Sequence, residues 1–502
     1  MTVHEQIEIE LKFDVDAGQP IPDLTALPGV ATTTGPIVEH LDATYFDTEN
    51  LDLADHAVTL RRRTGGHDEG WHLKRPGTER GRTERQVPLE AAGGDAHAVP
   101  AELIEPVRVH LRSRTVSPVA AISTRRQITE ARDAQGTLLA VLCADLVTAR
   151  SLLPGGTGQV WSEWEFELVA DLDDEDATEL LESAETVFRA AGARTASSAS
   201  KLARAIGSTP GHREDRRLPA KPTALELVVT ELARHRDQLV AWDPAVRADA
   251  DDAVHQMRVA TRRLRSVLKA FPGVLDGPEP ERLGEEFKEL AAILGVARDA
   301  EVQAERYRDL LDDENPSATL ESALVEAQSQ RYHRGWKAAV SAMNSDRYFA
   351  LLDAIDALLV APTPGENAEA PARAALRDAV KSARASVLKA QKKLTRYDEG
   401  TPEWTEQLHA VRKKAKRLRY VAEAGATLRG SRHSDEARTA KRIQAALGDA
   451  NDAAISREVL AMAAGSIGVD PADAFVLGRL DAREQAEHDR ALQRYSDVAS
   501  DL

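Results

Sequence analysis

The 502-residue chain has one cysteine, four methionines and few aromatic residues (4%). A single thiol, Cys143, excludes an internal disulfide and every two-cysteine metal or redox motif. No run of about 18 apolar residues exists, which excludes a helical membrane span. The opening MTVHEQIEIELKFD lacks the basic start and apolar core of a secretory leader. Together these absences predict a cytoplasmic protein with no membrane partner. Apolar residues make up 42% of the chain and charged residues 29%, as in an ordinary globular protein, and the length calls for more than one domain.

The net charge of −17 argues against nucleic acid as a specific partner, but the charge is unevenly spread. Residues 1–210 hold 20 basic and 34 acidic side chains, a net of −14; subtraction from totals of 65 and 82 leaves 45 and 48 for the remainder, a net of −3. Arginine outnumbers lysine 50 to 15, a bias that composition alone can explain but that also suits bidentate phosphate contacts.

The texture changes near residue 210. Before it, strict apolar/polar alternation in Ile7–Phe13 and Trp161–Leu168, with Thr59–Arg63 between, predicts strands. The acidic start Asp173–Asp176 predicts a helix over Glu175–Ala191. The stretch Ser208–Pro222, polar with three prolines, reads as a linker. After Thr223 the sequence is rich in Ala, Leu, Glu and Arg with helical periodicity, broken near its middle by Ala361–Glu369.

The helical half contains an internal repeat. His255-x-x-Arg258-x-x-x-Arg262-Arg263-Leu264-Arg265 matches His409-x-x-Arg412-x-x-x-Lys416-Arg417-Leu418-Arg419. Leu294-Gly295 with Asp299 follows the first copy, and Leu447-Gly448 with Asp452 follows the second at nearly the same distance. The +3, +4, +3 spacing puts His255, Arg258, Arg262 and Arg265 on one helix face, and His409, Arg412, Lys416 and Arg419 on another, with Val259, Leu264, Val267 and Leu268 on the first helix's opposite stripe. Like charges so spaced repel by roughly 0.2–0.5 kcal/mol per pair, so each face calls for anions. Salt bridges to neighbouring helices could satisfy one such face; two copies could line one groove for a polyanion. Asp299 and Asp452 are expected to tie helices together.

This half resembles the CHAD family of conserved-histidine α-helical domains, over about residues 223–495. The resemblance implies two pseudo-symmetric four-helix bundles around a basic channel that binds inorganic polyphosphate, through His255, Arg258, Arg262, Arg265, His409, Arg412, Lys416 and Arg419, with Arg263, Lys413 and Arg417 as further contributors.

In the strand-rich half, Glu8, Glu10 and Lys12 share one strand face, and Glu163, Glu165 and Glu167 share another. Arg61 and Arg63 pair similarly, as do His72 and Lys74. A solvated sheet face explains any one of these. If the strands close with the charged faces inward, the lumen holds carboxylates for Mg²⁺ or Mn²⁺ and cations for phosphate oxygens. Such a lumen suits metal-assisted attack of water on a short polyphosphate.

Glu8-x-Glu10-x-Lys12 resembles the signature of the CYTH family, the triphosphate tunnel metalloenzymes. Tyr45-Phe46-Asp47-Thr48, Leu60-Arg61-x-Arg63, Leu73-Lys74, Arg82-x-Glu84, Arg125-Arg126, Asp145, Glu165-x-Glu167 and Ser200-Lys201 follow in order, over about residues 3–207. The resemblance implies metal binding or water activation by Glu8, Glu10, Asp145, Glu165 and Glu167. It implies a triphosphate clasp of Arg61, Arg63, Lys74, Arg125 and Lys201 with Lys12, and Glu84 as a further tunnel carboxylate; the catalytic set is then Glu8, Glu10, Lys12 and Glu84. Gln86 stands where many members carry a second Glu. Of the neighbours Arg125 and Arg126 only one faces inward, and parity with Ile122 and Ile128 turns Arg126 outward, leaving Arg125 in the lumen.

The expected protein is therefore an antiparallel β-barrel with helices over 1–207, a linker over 208–222 and a duplicated helical bundle over 223–502. Its expected activity is hydrolysis of inorganic triphosphate, with polyphosphate as a second partner and polyphosphate granules as a site of association. The alternatives are a non-catalytic polyphosphate binder and an enzyme for an organic triphosphate (a thiamine triphosphatase or class IV adenylate cyclase).

Overall fold

The computed structural model describes residues 4–77, 81–93, 97–170, 172–207, 217–428, 434–466 and 470–502. The chain divides into two units, Met1–Asp215 and Arg216–Leu502. Residues 208–216 of the expected linker lie outside the described residues.

The first unit holds ten described strands: β1 (His4–Glu8), β2 (Glu10–Val15), β3 (Thr32–Asp47), β4 (Thr59–Thr64), β5 (Gly70–Pro76), β6 (Arg82–Val87), β7 (Ser117–Arg132), β8 (Leu138–Ser151), β9 (Gly158–Leu168) and β10 (Arg194–Thr195). Helices α1 (Ala101–Ile104), α2 (Arg108–Leu111), α3 (Asp174–Ala190) and α4 (Lys201–Ile206) accompany them. The strands form one antiparallel sheet in the order β1-β6-β5-β4-β3-β7-β8-β9-β2-β10. The ladder is not a continuous ring. β1 and β2 are two halves of one segment separated by Ile9; the first pairs with β6 and the second with β9, so this segment joins the two sides of a sheet wrapped around a lumen.

Alternation along the strands explains why the wrap is stable with charges inside. Side chains at successive positions point to opposite faces. The residues that alternate with Glu10 and Lys12, including Phe13 and Val15, pack outward against Leu180, Ala184 and Phe188 of α3. A second outer core sets Phe46, Leu60, Trp71, Leu73 and Val87 against Leu103, Val107 and Leu111. Burying each large side chain stabilises the unit by about 1.5–3 kcal/mol. A third core lies on the lumen-facing parity: Ala43, Tyr45, Ile122, Val147 and Trp161 meet Leu202 and Ala205 of α4, so apolar packing fills one end of the lumen. The expected helix over Glu175–Ala191 is α3, capped by Asp173, whose carboxylate accepts from the Glu175 and Asp176 amides.

The second unit contains α5 (Ala224–Arg247), α6 (Ala253–Ala270), α7 (Glu279–Leu311), the one-turn α8 (Ala318–Glu321), α9 (Ala327–Met343), α10 (Asp346–Val360), α11 (Ala372–Leu394), α12 (Pro402–Glu423), α13 (Ser434–Ser466) and α14 (Pro471–Ala499). Successive long helices pack as α5–α6–α7–α9 and as α11–α12–α13–α14, and the copies meet through α5 with α11 and α6 with α12. The joint is reciprocal. The Ala224 amide donates to the Ala370 carbonyl at 2.7 Å, and the Ala372 amide donates to the Pro222 carbonyl at 2.9 Å. Equivalent residues at the start of each copy thus exchange hydrogen bonds, as a pseudo-twofold requires. On α6 the buried stripe includes Val254, Met257, Ala260, Leu264 and Val267, whereas Val259 and Leu268 are only half-buried.

Candidate functional site

The lumen of the first unit is a cavity of about 560 Å³ lined by residues from every strand from β1 to β9. Glu8, Glu10, Lys12, Arg61, Arg63, Lys74, Glu84, Glu165, Glu167 and Lys201 all line it. Cross-strand register brings several face to face: Lys12 opposite Glu165, Glu10 opposite Glu167, and Lys74 opposite Glu84. Ser200 caps α4 by accepting from the Ala203 amide, which fixes the helix start from which Lys201 reaches the lumen.

One expected residue is misplaced. Arg125 is exposed, and Arg126 lines the cavity instead, donating to Asp145 at 2.9 and 2.7 Å and to Glu165 at 2.5 Å. The physical reason is the apolar content of the lumen. Ile128 lines the cavity and Ile122 belongs to the plug at its end, so both share Arg126's parity while facing inward.

Asp145 lies buried beside the cavity, opposite Arg126 and Glu163 in register. Asp145, Glu163 and Glu165 each place a carboxylate oxygen within 4.8 Å of the others. Lys201 Nζ reaches all three, at 3.0, 2.5 and 2.7 Å. Glu163 thus joins the acidic set, although it was recognisable only as the third member of the Glu163, Glu165, Glu167 alternation. Lys12 bridges Glu10 at 2.8 Å and also contacts Glu165, and Lys74 holds Glu8 at 2.5 Å.

Electrostatics divide the lumen into two zones. Burial opposes the charge on Glu165, yet Lys12, Lys201 and Arg126 hold its carboxyl well below the usual range. Lys201 is likewise held well above its ordinary value against burial, by Glu163, Glu165 and Asp145. Glu167 behaves differently: burial, then the charge of Glu8, push it up to about 7, with Glu10 adding to the rise. Lys74, already paired with Glu8, only partly offsets this rise, and Lys12 is paired with Glu10. Arg63 is pushed down to about 9, chiefly by burial and then by Arg61 and Arg126, although the Asp68 carboxylate pairs with it. A lumen in which carboxylates and cations interleave can accept a divalent cation and an anion together. Hard carboxylate oxygens of this kind suit Mg²⁺ or Mn²⁺. Cys143 also lines the cavity, its thiol pushed up to about 12 by burial. Asp47 does not: it is buried and accepts from the Thr48, Leu53 and Ala54 amides, a structural role.

In the second unit the two basic helices supply one cluster. Lys416 is pushed down to about 7 by burial and by the charges of Arg262, Arg412, Arg258 and Arg419, drawn from both copies. His255 is lowered by burial and by Arg298, Arg262 and Arg258. The Nε atoms of Arg262, Arg265 and Arg412 are buried without a hydrogen-bond partner. Arg258 lies over Gly295, where an added Cβ would sit 3.5 Å from the guanidinium, and Arg412 lies over Gly448 in the same way at 3.6 Å. The repeated Leu-Gly thus makes room for the repeated arginine. Asp299 accepts from Arg258 at 3.0 Å, tying α6 to α7 as expected. His409 contacts Asn451, the residue equivalent to Arg298, and its Nδ1 faces the Thr405 carbonyl at 3.1 Å. Arg263 lies 3.7 Å from Glu423 and Arg417 donates to the Lys269 carbonyl at 2.9 Å. Lys413 is exposed. Arg298 and Tyr420, which hydrogen-bonds Arg262, are additions that spacing alone does not single out.

No helix among the described residues is long and apolar enough to cross a membrane. The CYTH domain family matches residues 6–206, and the CHAD domain family matches residues 230–461. The chain is 40% identical over 496 residues to "Uncharacterized protein Rv2226" of Mycobacterium tuberculosis (strain ATCC 25618 / H37Rv), covering 95% of this chain and 93% of that one. Among solved structures, PptA from Streptomyces chartreusis aligns with a TM-score of 0.46 at 20% identity, over 55% of this chain and 99% of that chain. The CHAD domain from the plant Ricinus communis aligns with a TM-score of 0.43 at 24% identity, over 56% of this chain and 94% of that chain. The family matches and the near full-length mycobacterial relative agree with the two units described above: the chain belongs to the family of two-domain proteins in which a CYTH domain is followed by a CHAD domain.

Proposed function

We infer that the CYTH unit hydrolyses inorganic tripolyphosphate with a divalent cation, and that the CHAD unit binds inorganic polyphosphate. One observation carries the enzymatic reading: carboxylates and cations together line a single cavity of about 560 Å³. Carboxylates weaken anion binding unless cations cover them, so their presence favours a metal-dependent enzyme over a passive binder. Asp145, Glu163 and Glu165, or Glu8, Glu10 and Glu167, would hold Mg²⁺ or Mn²⁺. Such an ion, when bound, neutralises phosphate charge and lowers the pKa of a coordinated water. Arg61, Arg63, Lys74, Arg126, Lys12 and Lys201 orient the phosphates and stabilise charge on the leaving group. The apolar plug beside α4 restricts water at one end of the site.

An organic triphosphate is the second reading. Ile37, Leu41, Ile128, Leu138, Val141 and Val169 give the lining an apolar strip. Tyr45 also lines the cavity, but its hydroxyl accepts from Arg61 at 3.5 Å among the charged groups, which favours the inorganic substrate over a stacked base. The deciding experiment is phosphate release from tripolyphosphate, long polyphosphate, ATP and thiamine triphosphate, each with Mg²⁺ and with Mn²⁺. Tripolyphosphate is expected to be the preferred substrate. Preference for ATP or thiamine triphosphate transfers the conclusion to the second reading, and no release from any substrate with either metal sinks both.

A further inference from the structure

His72 is buried on β5, and its imidazole is held at both nitrogens. Nδ1 lies 2.9 Å from Glu84 Oε1 and Nε2 lies 3.0 Å from the Asp68 carbonyl oxygen. That carbonyl also accepts from Gln86 Nε2 at 3.1 Å and Arg63 Nη2 at 3.3 Å, so donors converge on it. A carbonyl cannot donate, so this contact is a hydrogen bond only when Nε2 carries hydrogen. A neutral imidazole has only one N–H. Nδ1 would then be bare and would face an ionised Glu84 lone pair to lone pair at 2.9 Å. The contact is satisfied only when one proton lies between Nδ1 and Oε1.

Taken singly, each group would lose that proton. Burial pushes the His72 imidazolium down to about 3, with Arg61 and Arg63 adding to the effect. Glu84 is held low against burial by the His72 hydrogen bond and by Lys74 and Arg61. Loss from both groups leaves one N–H for two contacts, so either Nδ1 faces Glu84 or Nε2 faces the Asp68 carbonyl without a hydrogen, and the two groups titrate as one unit. The groups facing this unit are Arg61 and Arg63 from β4, Lys74 from β5, Gln6 from β1, and the Asp68 loop, whose carboxylate pairs with Arg63. Arg61 and Lys74 each lie 3.8 Å from Glu84 Oε1, and Glu84 lines the cavity in which these cations would meet phosphate.

We propose that His72 and Glu84 store one proton in the tunnel and that Glu84 delivers it to the departing phosphate oxygen. The proposal rests on the triphosphatase reading and deepens it. The oxygen of water bonds to the terminal phosphorus while the bridging P–O bond breaks and its electron pair passes to the pyrophosphate oxygen. That oxygen takes the proton from Glu84. The attacking water releases one proton to solvent, and the pair is recharged by one proton from solvent, so the sum is tripolyphosphate plus water giving phosphate plus pyrophosphate. Glu84 is the catalytic residue of this step, and His72 is a positioning residue that keeps the carboxyl supplied.

The test compares the full chain with His72→Gln and Glu84→Gln in tripolyphosphate hydrolysis across pH, separating kcat from KM. A general acid contributes roughly 10²–10⁴-fold. Expected for His72→Gln is a fall in kcat of about 10²-fold at pH 8 with KM little changed, and recovery as pH drops and Glu84 is protonated from solvent. Glu84→Gln is expected to lose as much at every pH, and the double variant no more. A raised KM with unchanged kcat, or a His72→Gln deficit independent of pH, overturns the proposal. Nitrogen NMR of the histidine-labelled chain without substrate reads the proton directly: Nε2 protonated and Nδ1 hydrogen-bonded is expected, and a bare Nε2 overturns the proposal. If the unaltered chain releases no phosphate, the triphosphatase reading fails, whereas the NMR result still decides whether the shared proton exists.

Discussion

The two charged regions of this protein treat their cations in opposite ways. In the CYTH lumen Lys12, Lys74, Lys201 and Arg126 each contact at least one carboxylate. In the CHAD unit, among the described residues, no carboxylate pairs with Arg262, Arg412 or Lys416, and Arg258 and Arg419 carry one partner each. A carboxylate-rich lumen repels a bare polyanion, so it is suited to a substrate that arrives with a cation and to chemistry that changes charge. A cation cluster with so few carboxylate partners needs no metal to attract a polyanion. Under the proposed function, the same ligand chemistry would be served by a balanced site for turnover and an unbalanced site for retention.

The largest expected effect tests the balanced side. Glu165→Gln removes the negative charge that Lys12, Lys201 and Arg126 share. Tripolyphosphate hydrolysis with Mg²⁺ or Mn²⁺ is expected to fall by about 10²–10³-fold, the scale seen when one preorganised charge-stabilising group is lost. Long-polyphosphate binding by the same chain is expected to be unchanged. Loss of both together would erase the division of labour. Next in size is the Arg126 pair of contacts. Arg126→Ala removes charge-assisted hydrogen bonds worth about 1.5–3 kcal/mol each and is expected to lower kcat/KM by 10-fold or more, whereas Arg125→Ala, at an exposed position, leaves it unchanged. Steady-state kinetics of the two single variants settles the inward side of this strand.

That same strand shows where sequence reading stops. Alternation makes Glu8, Glu10, Lys12, Glu165 and Glu167 legible, because a period of two assigns faces without any knowledge of the partner strand. The β1–β2 break at Ile9 leaves no trace in the alternation, since both halves keep the same parity. Local parity alone points Arg125 inward, because apolar neighbours ordinarily mark the buried outer face. Here α4 brings Leu202 and Ala205 into one end of the lumen, and Ile122 faces inward to meet them. That fact belongs to tertiary packing and has no local signature. His72 is on the same strand face as Lys74, yet its significance depends on Asp68 and Glu84, which only the folded sheet brings together. In the helical half the repeat identifies equivalent positions. It cannot show that Arg258, Arg262 and Arg412 converge on Lys416, because helical spacing says nothing about which faces meet.

A moderate effect tests the unbalanced side. Replacing Arg262 and Arg412 together by Ala is expected to weaken long-polyphosphate binding and to flatten the plot of log affinity against log salt by about two, since each lost charge contact releases roughly one counterion fewer. Binding isotherms at several salt concentrations measure the slope. Tripolyphosphate hydrolysis by this variant is expected to match the unaltered chain, which would confirm that the two sites are chemically separate.

The smallest effect is the most specific to crowded cations. Lys416 is pushed from 10.5 down to about 7 by burial and by Arg262, Arg412, Arg258 and Arg419. Between those values the unfolded chain binds a proton that the folded chain does not, so stability without ligand rises with pH across this window and is lowest once Lys416 is charged below it. A polyanion seated on the cluster reverses the cause of the shift and raises the Lys416 pKa. Binding at pH 8 is therefore expected to take up close to one proton, and affinity is expected to fall as pH rises from about 7. Calorimetry in two buffers of different ionisation enthalpy measures the uptake, and Lys416→Met is expected to abolish it. Proton uptake that survives this substitution would place the titrating group elsewhere and would remove Lys416 from the polyanion's path.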